Sequence, residues 1–376
     1  MSDTVLAVGL MSGTSLDGVD AALLDTDGVA QARPRRGAAV TVPYDPAFRA
    51  RLRRFFGAAA LDPACAGERA AAAAELTRAH AQAVRALLER AGVPAHAVAV
   101  AGFHGQTLHH APARGRPGDG ITVQIGDGAL LARLTGIPVV SDFRSADVAA
   151  GGEGAPLVPA YHQALAAGLE RPLAVLNIGG VANVTYVGAD GALLAFDTGP
   201  GNAPIDDWML ARAGAAFDAG GALALSGRPS AGVVAGFLAD PYFARLPPKS
   251  LDRDAFAMLK PAALGDLAPA DGAATLVDCC AAAVAAAAAH FPAPARRWLV
   301  TGGGRSNDAI MAALRQRLGV PVDPVDSVGW DGDALEAQAF AYLAVRSLKG
   351  LPLSFPGTTG VPRAMPGGRL HRPQGS

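Results

Sequence analysis

Two glycines, three hydroxyls and two acids fall within one short stretch, Ser12-Gly13-Thr14-Ser15-Leu16-Asp17-Gly18-Val19-Asp20. Backbone N–H groups of such a loop, with the hydroxyls of Ser12, Thr14 and Ser15, can donate to phosphate oxygens. Asp17 and Asp20 can hold magnesium through water. Gly13 and Gly18 let the backbone approach a ligand closely or take a positive φ. Apolar runs flank the stretch, at Val5–Met11 and at 19–24. It therefore reads as the loop of a β-hairpin. An ordinary polar hairpin loop has the same composition, so the residues alone leave both readings open.

Other stretches carry chemistry of their own. His104-Gly105-Gln106-Thr107 follows a strand-like run at 97–103. Open α/β sheets bind ligands at the C-terminal ends of strands. His104, Gln106 and Thr107 are thus candidate contacts, although a lone histidine is also an ordinary core residue. Arg144 follows a strand-like run at 137–140 and stands between Asp142 and Asp147. It is either part of a salt-bridged loop or a planar fork for a substrate carboxylate. Asp197 lies in Phe196-Asp197-Thr198-Gly199-Pro200-Gly201-Asn202. Aspartate before glycine and proline commonly makes an Asx-turn. A stiff Gly-Pro-Gly turn would equally fix the carboxylate at a strand end, as a general base requires. Gly302, Gly303 and Gly304 separate a strand at 298–300 from a helix at 309–318. Glycines there let a nucleotide base or ribose approach the backbone. Glu336 lies near the start of a helix at 332–348, and Asp206 and Asp207 at the start of another. Acids there suit the helix dipole, which is the first reading for all three.

The elements that must position these residues are legible as periodicity. Runs at 5–11, 19–24 and 38–42 read as a three-stranded meander, with Asp27-Gly28 as a turn. Residues 64–91 read as a long Ala/Leu helix ended by Gly92 and Pro94. The pattern then recurs: Leu173–Ile178, a Gly179-Gly180 turn, Val181–Val187, and a third strand at 193–196. The segment 149–159 is glycine-rich and reads as a hinge between halves. Residues 367–376 read as a frayed tail.

Composition bounds the function. The chain has 376 residues, 51% hydrophobic, enough for two domains with large cores. Its net charge of -1 offers no surface for nucleic acid. Cys65, Cys279 and Cys280 make no disulfide framework, which fits a reducing, cytoplasmic compartment. The start of the chain lacks the basic region of a secretory signal. The apolar tract at 279–289 is too short to span a bilayer, so no membrane partner is expected. Lysines occur only at 249, 260 and 349, so a Walker loop is excluded for want of its lysine. A homodimer is allowed, but nothing in the sequence requires one.

Taken together, MSGTSLDGVD, HGQT, VQIGDGALLA, DFRSADVAAGGEGAPLVPAYHQAL, LNIGGVANV, FDTGPGN and GGGRSN resemble the anhydro-N-acetylmuramic acid kinases, in family order and over nearly the whole chain. PPKSLDRDAF resembles a family segment with Asp252 in place of its usual glycine, so no role is carried over from it. The resemblance implies an α/β fold of two duplicated ribonuclease H-like lobes of the actin and hexokinase type. Mixed sheets and an ATP cleft between lobes would follow, with lobes at 1–148 (joined by about 340–376) and 149–339. It implies ATP with Mg2+ as cofactor, bound across 12–20, Gly179, Gly180 and Gly302 to Gly304. It implies sugar contacts at His104, Gln106 and Thr107, with Arg144 on the lactyl carboxylate. Asp197 would be the catalytic base, and Glu336 would reach the active site.

The implied substrate, 1,6-anhydro-N-acetylmuramic acid, constrains the chemistry. It has no free 6-hydroxyl for an ordinary kinase to deprotonate. Water must attack the anomeric carbon while the 6-oxygen leaves and takes the γ-phosphoryl group. Asp197 would activate that water, as the base of an inverting glycosidase does. The alternatives are another sugar or carboxylate kinase of the same fold, or a non-catalytic nucleotide-binding sensor.

Overall fold

The computed structural model describes residues 4–13, 15–112, 116–251 and 255–373. Thr14 and Asp252 lie outside the described residues. The chain divides into two compact units: unit 1 is Met1–Ala167 with Ala334–Ser376, and unit 2 is Gly168–Asp333. The boundaries expected at 148/149 and 339/340 differ from these, because residues 149–167 and 334–339 pack with unit 1.

Unit 1 opens with three antiparallel strands, β1 (Val5–Met11), β2 (Gly18–Thr26) and β3 (Ala32–Pro43). After the helix Ala66–Ala91 the chain returns as β4 (Val100–Phe103), parallel to β1. β5 (Gln106–Ala111) and β6 (Ile121–Ile125) form a separate hairpin. β7 (Val139–Ser141) then lies parallel to β4. Unit 2 repeats the sequence of events. β8 (Leu173–Ile178), β9 (Val181–Val187) and β10 (Leu193–Pro200) form an antiparallel meander. β11 (Trp298–Thr301) is parallel to β8, and β12 (Val322–Pro324) to β11. β13 (Arg369–His371) closes the chain in unit 1, antiparallel to β7.

The two sheets share one plan. In β3-β2-β1-β4-β7 and in β10-β9-β8-β11-β12, the unit's first strand is central. The rest of the meander lies on one side of it and two parallel strands on the other. This is the ribonuclease H-like order, present twice.

Packing explains several sequence choices. The helix Ala66–Ala91 buries Leu76, His80, Ala83, Val84 and Leu87, one helical face, and ends at Gly92 with φ +63°. The helix Leu335–Leu348 lies directly on β1 and β4. A Cβ at Gly9 would come within 1.7 Å of the Ala337 carbonyl oxygen, and one at Gly102 within 2.0 Å of that of Phe340. In unit 2 the alanine-rich helix Pro269–Ala287 plays the central part, with Cys279 and Cys280 fully buried in it.

Four expectations need correction. The helix around Cys279 runs over Pro269–His290, longer than the 279–289 tract, and is long and apolar enough to cross a membrane. Its apolar window is 72% buried inside the protein, as befits the core helix of unit 2. The tail is not frayed at 369–371, which are β13. The turn expected at Gly199 to Gly201 begins later, because β10 continues to Pro200 through a bulge between Asp197 and Gly199. The glycine-rich segment around 151–154 lies inside unit 1 and away from its boundary. The buried Asp147 carboxylate holds it, accepting from Gly154 N (2.7 Å) and from Thr359 Oγ1 (2.6 Å).

Candidate active site

The β1–β2 loop is built from inside. Ser12 is buried and donates its hydroxyl proton to Gln106 Oε1 at 2.6 Å. Tyr44 OH, 2.7 Å from Ser12 Oγ, is then left to donate to it. The Ser12 hydroxyl is therefore a pin between the loop and β5, not a free phosphate donor. Gln106 is fully buried by the same contact. Leu16 sits at φ +58° with its side chain buried. A leucine there costs on the order of 1–3 kcal/mol, held by surrounding packing. Arg49 ties the outside of the loop, donating to Ser15 O and pairing with Asp17 Oδ1, each at 2.9 Å.

The two loop glycines differ. A Cβ on Gly18 would meet Val42 O at 2.3 Å, so strand packing alone demands glycine there. Among the described residues, a Cβ on Gly13 would meet only Ser15 Oγ, at 3.7 Å. Gly13 therefore presents open backbone, and neither packing nor a positive φ requires it.

His104 and Arg144 form one assembly. His104 is buried against Phe340, with ring centroids 4.6 Å apart. Its Nδ1 donates to Gly105 O at 2.9 Å. Its Nε2 then accepts from Gln124 Nε2 (3.1 Å) and Arg144 Nη2 (2.9 Å), which fixes the neutral tautomer. Burial and the Arg144 charge hold the ring's pKa well below its ordinary value. Both ring nitrogens of His104 are thus engaged within the protein. Arg144 also donates Nη1 to Gly154 O at 2.7 Å. Burial lowers its pKa to about 10, against the opposing charges of Glu336 and Asp147. Thr107 Oγ1 accepts from Gln124 Nε2 at 3.3 Å.

Glu336 lies in the first turn of the helix Leu335–Leu348, exposed to water but crowded by protein. That crowding and the Asp20 carboxylate push its pKa up, while Arg144 pulls it down. Asp20 itself accepts from Thr41 Oγ1 at 2.6 Å. A cavity of about 470 Å³ in unit 1 is lined by His104, Gln124, Ser141, Asp142 and His371 among others.

In unit 2, Asp197 lies beside the β10 bulge. Its carboxylate Oδ2 accepts from Leu251 N at 2.8 Å. Its backbone N–H donates to Lys249 O at 3.0 Å, and Tyr242 OH donates to its carbonyl. The segment at 201–202 lies over the β8–β9 turn, with Gly201 N on Gly180 O (3.0 Å) and Asn202 N on Gly179 O (2.7 Å). No atom of the described residues approaches an added Cβ closer than 3.7 Å at Gly179 or 3.6 Å at Gly180, so both leave backbone open. In the triple glycine only Gly303 is open in this way. Gly302 has φ +75°, and a Cβ on Gly304 would strike the Ile178 side chain at 2.4 Å. Arg305 is clamped between Asp326 (3.2 Å) and Asp333 (2.8 Å). A cavity of about 420 Å³ is lined by Asn202, Asp206, Gly303, Arg305, Asn307 and Asp333 among others.

The sequence profile of the anhydro-N-acetylmuramic acid kinases matches residues 5–372. The chain belongs to the anhydro-N-acetylmuramic acid kinase family. Relatives of that name include one from Paramagnetospirillum magneticum, 57% identical over 98% of this chain and 100% of its own. Another, from Rhodospirillum rubrum, is 58% identical over 97% of this chain and 93% of its own. Among solved structures, component A of (R)-2-hydroxyglutaryl-CoA dehydratase from Acidaminococcus fermentans aligns with a TM-score of 0.48. It is 13% identical, covering 92% of this chain and 99% of that one. Family membership makes this chain an enzyme of the phosphotransferase class.

Reading the sequence missed several residues around the family motifs. Gln124 lies in the quoted VQIGDGALLA and signalled nothing by type, yet it bridges His104 and Thr107. Asp147 and Thr359 are joined across 212 residues, beyond any local pattern. Lys249 had a signal, as one of three lysines in the chain.

Proposed function

We propose that this chain uses ATP to open and phosphorylate 1,6-anhydro-N-acetylmuramic acid, giving N-acetylmuramic acid 6-phosphate and ADP in cytoplasmic cell-wall recycling. Near-complete alignment with relatives of that name carries the reading. Asp197 takes a proton from the water that attacks the anomeric carbon. The C1–O6 bond breaks, and the 6-oxygen takes the γ-phosphoryl group from ATP. The hydrogen bond from Leu251 N supports this assignment, because it orients the carboxylate. Arg144 binds the lactyl carboxylate. Its three contacts to His104 and Gly154 use three of five N–H donors, leaving others for substrate. Gly13, Gly179, Gly180 and Gly303 offer open backbone to the nucleotide, a reading supported by the room around each. Asp20 fits magnesium held through water, because its charge already disfavours ionised Glu336 and a cation would relieve that repulsion. When bound, the metal would neutralise phosphate charge.

Mass spectrometry of products formed in ¹⁸O-labelled water tests the reaction. One heavy oxygen should enter the sugar at its anomeric carbon, and none should enter the transferred phosphate. Phosphorylation without label in the sugar would point to an ordinary hydroxyl kinase. Asp197→Asn tests the base. It should lose about 10²–10⁴-fold in turnover, with the melting temperature held. Turnover within a few-fold of wild type would leave Asp197 as a turn residue.

A further inference from the structure

β10 is the edge strand of its sheet, and a strap at 249–251 crosses its open side at the one residue assigned as base. Lys249 O accepts from Asp197 N at 3.0 Å, and Leu251 N donates to Asp197 Oδ2 at 2.8 Å. The strap is anchored from below. Lys249 is 4% exposed. Its ammonium reaches Tyr242 O (3.1 Å), Phe243 O (3.4 Å) and His290 Nε2 (3.2 Å), and lies 4.6 Å from the Tyr242 ring centroid. Tyr242 in turn donates its hydroxyl to Asp197 O. One lysine and one tyrosine thus fasten both the strap and the backbone of the base.

Lysine is an expensive anchor. Burying an ammonium forfeits its hydration, and the partners here are neutral carbonyls, an imidazole and aromatic faces. Burial accordingly lowers the Lys249 pKa to about 8, with the Arg245 charge acting in the same direction. A hydrophobic plug would fill the same space at lower cost. Unlike such a plug, the ammonium fixes a direction, because its hydrogen bonds hold the stem and therefore the 249–251 backbone in one place.

We propose that the Lys249–Tyr242 anchor is a positioning device for the general base, holding the 249–251 strap so that the Leu251 N–H aims the Asp197 carboxylate at the attacking water. The inference rests on the reading of Asp197 as base. Lys249 and Tyr242 touch no substrate in this scheme and act through Asp197.

The test uses the full-length enzyme with ATP and the anhydro sugar. Lys249→Met removes the charge and keeps the length of the stem. Leu251→Pro deletes the N–H that Leu251 donates to Asp197 Oδ2. Tyr242→Phe deletes the hydroxyl and keeps the ring. Each should lower kcat, by about 10²-fold for the first two since misplacement of a reacting group by about 1 Å costs that much, while KM for both substrates stays unchanged. The Lys249→Met, Leu251→Pro double variant should be no slower than Leu251→Pro, since both act through one hydrogen bond. A kcat for Lys249→Met within three-fold of wild type, or losses that multiply in the double variant, would overturn the proposal. Should Lys249→Met fail to fold, Tyr242→Phe and Leu251→Pro decide it, and unchanged kcat in either overturns it. Asp197→Asn separates the two levels. If it is dead while Lys249→Met is near wild type, the strap fails alone; if Asp197→Asn is active, the base assignment fails first.

Discussion

Arg144 shows what single residues reveal and conceal. Its type and place after a strand announced a carboxylate fork. Its dependence on His104 and Gly154 did not show, because both contacts cross from other segments. Arg144→Lys should keep a cation and lose the planar fork. The expected result is a 10- to 100-fold higher KM for the sugar, about 1–3 kcal/mol for a charged hydrogen bond, with KM for ATP unchanged. Steady-state kinetics with each substrate varied checks this, and an equal rise in both constants would count against the fork. The loop glycines make a second pair of opposites. Sequence alone treated Gly13 and Gly18 alike, but only Gly18 is fixed by a neighbour, Val42 O at 2.3 Å. Gly18→Val should therefore lower the melting temperature. Gly13→Val should leave it unchanged and raise KM for ATP. Identical behaviour of the two variants would remove the distinction.

Among elements, the strands were the most legible, because alternating apolar runs bounded by glycine turns state their own limits. β1, β8 and β9 match the reading to the residue. β13 was invisible because its three residues, two exposed and one half-buried, carry no apolar pattern; backbone pairing with β7 makes the strand. The β10 bulge was invisible for a related reason, since it depends on register with β9. The helix Leu335–Leu348 was found by its period, but its seat was not. Two glycines 93 positions apart in sequence, Gly9 and Gly102, leave room for its backbone on the sheet. Gly9→Ala should push it off. Overpacking usually costs about 1–3 kcal/mol, and the 1.7 Å approach to a backbone carbonyl puts this case at or above the top of that range. Because the same helix carries Glu336, activity should fall with stability. A urea titration of the purified variant measures the loss, and a midpoint equal to wild type would show that the helix can shift freely.

The whole molecule repeats one topology in two units, but the units differ in what acid does to them. The resolved shifts in unit 1 include five histidines that favour the neutral form, His80, His104, His110, His162 and His371, the first, second and fourth of them buried. Burial lowers the pKa of His80 to about 4 and of His162 to about 3. Burial and Arg144 lower that of His104. A depressed folded-state value means that the unfolded chain binds the proton first. The stability from these groups is complete above about pH 6.5 and is lost as pH falls toward each folded value. For His80 the full loss is on the order of 3 kcal/mol, from a span of about 2.5 pH units at 1.36 kcal/mol each. Glu336 opposes this: its raised value makes the folded state bind the proton first, so acid stabilises it there. It is one acid against five histidines. In unit 2 the shifts resolved among the described residues include those of Lys249, Cys279, Cys280, Arg305 and Arg317, which lie on the alkaline side. Unit 1 should therefore unfold at higher pH than unit 2 on acidification. The chain offers a clean reporter, since its three tryptophans, Trp208, Trp298 and Trp330, all lie buried in unit 2. Far-UV circular dichroism, which sees both units, should begin to change between pH 6 and 4 while tryptophan fluorescence stays native. His80→Leu removes one of these protons and should move the first transition to lower pH without touching the fluorescence. Coincident transitions by both probes, or a His80→Leu curve that overlays the wild type, would show that these histidines do not set the acid limit of unit 1.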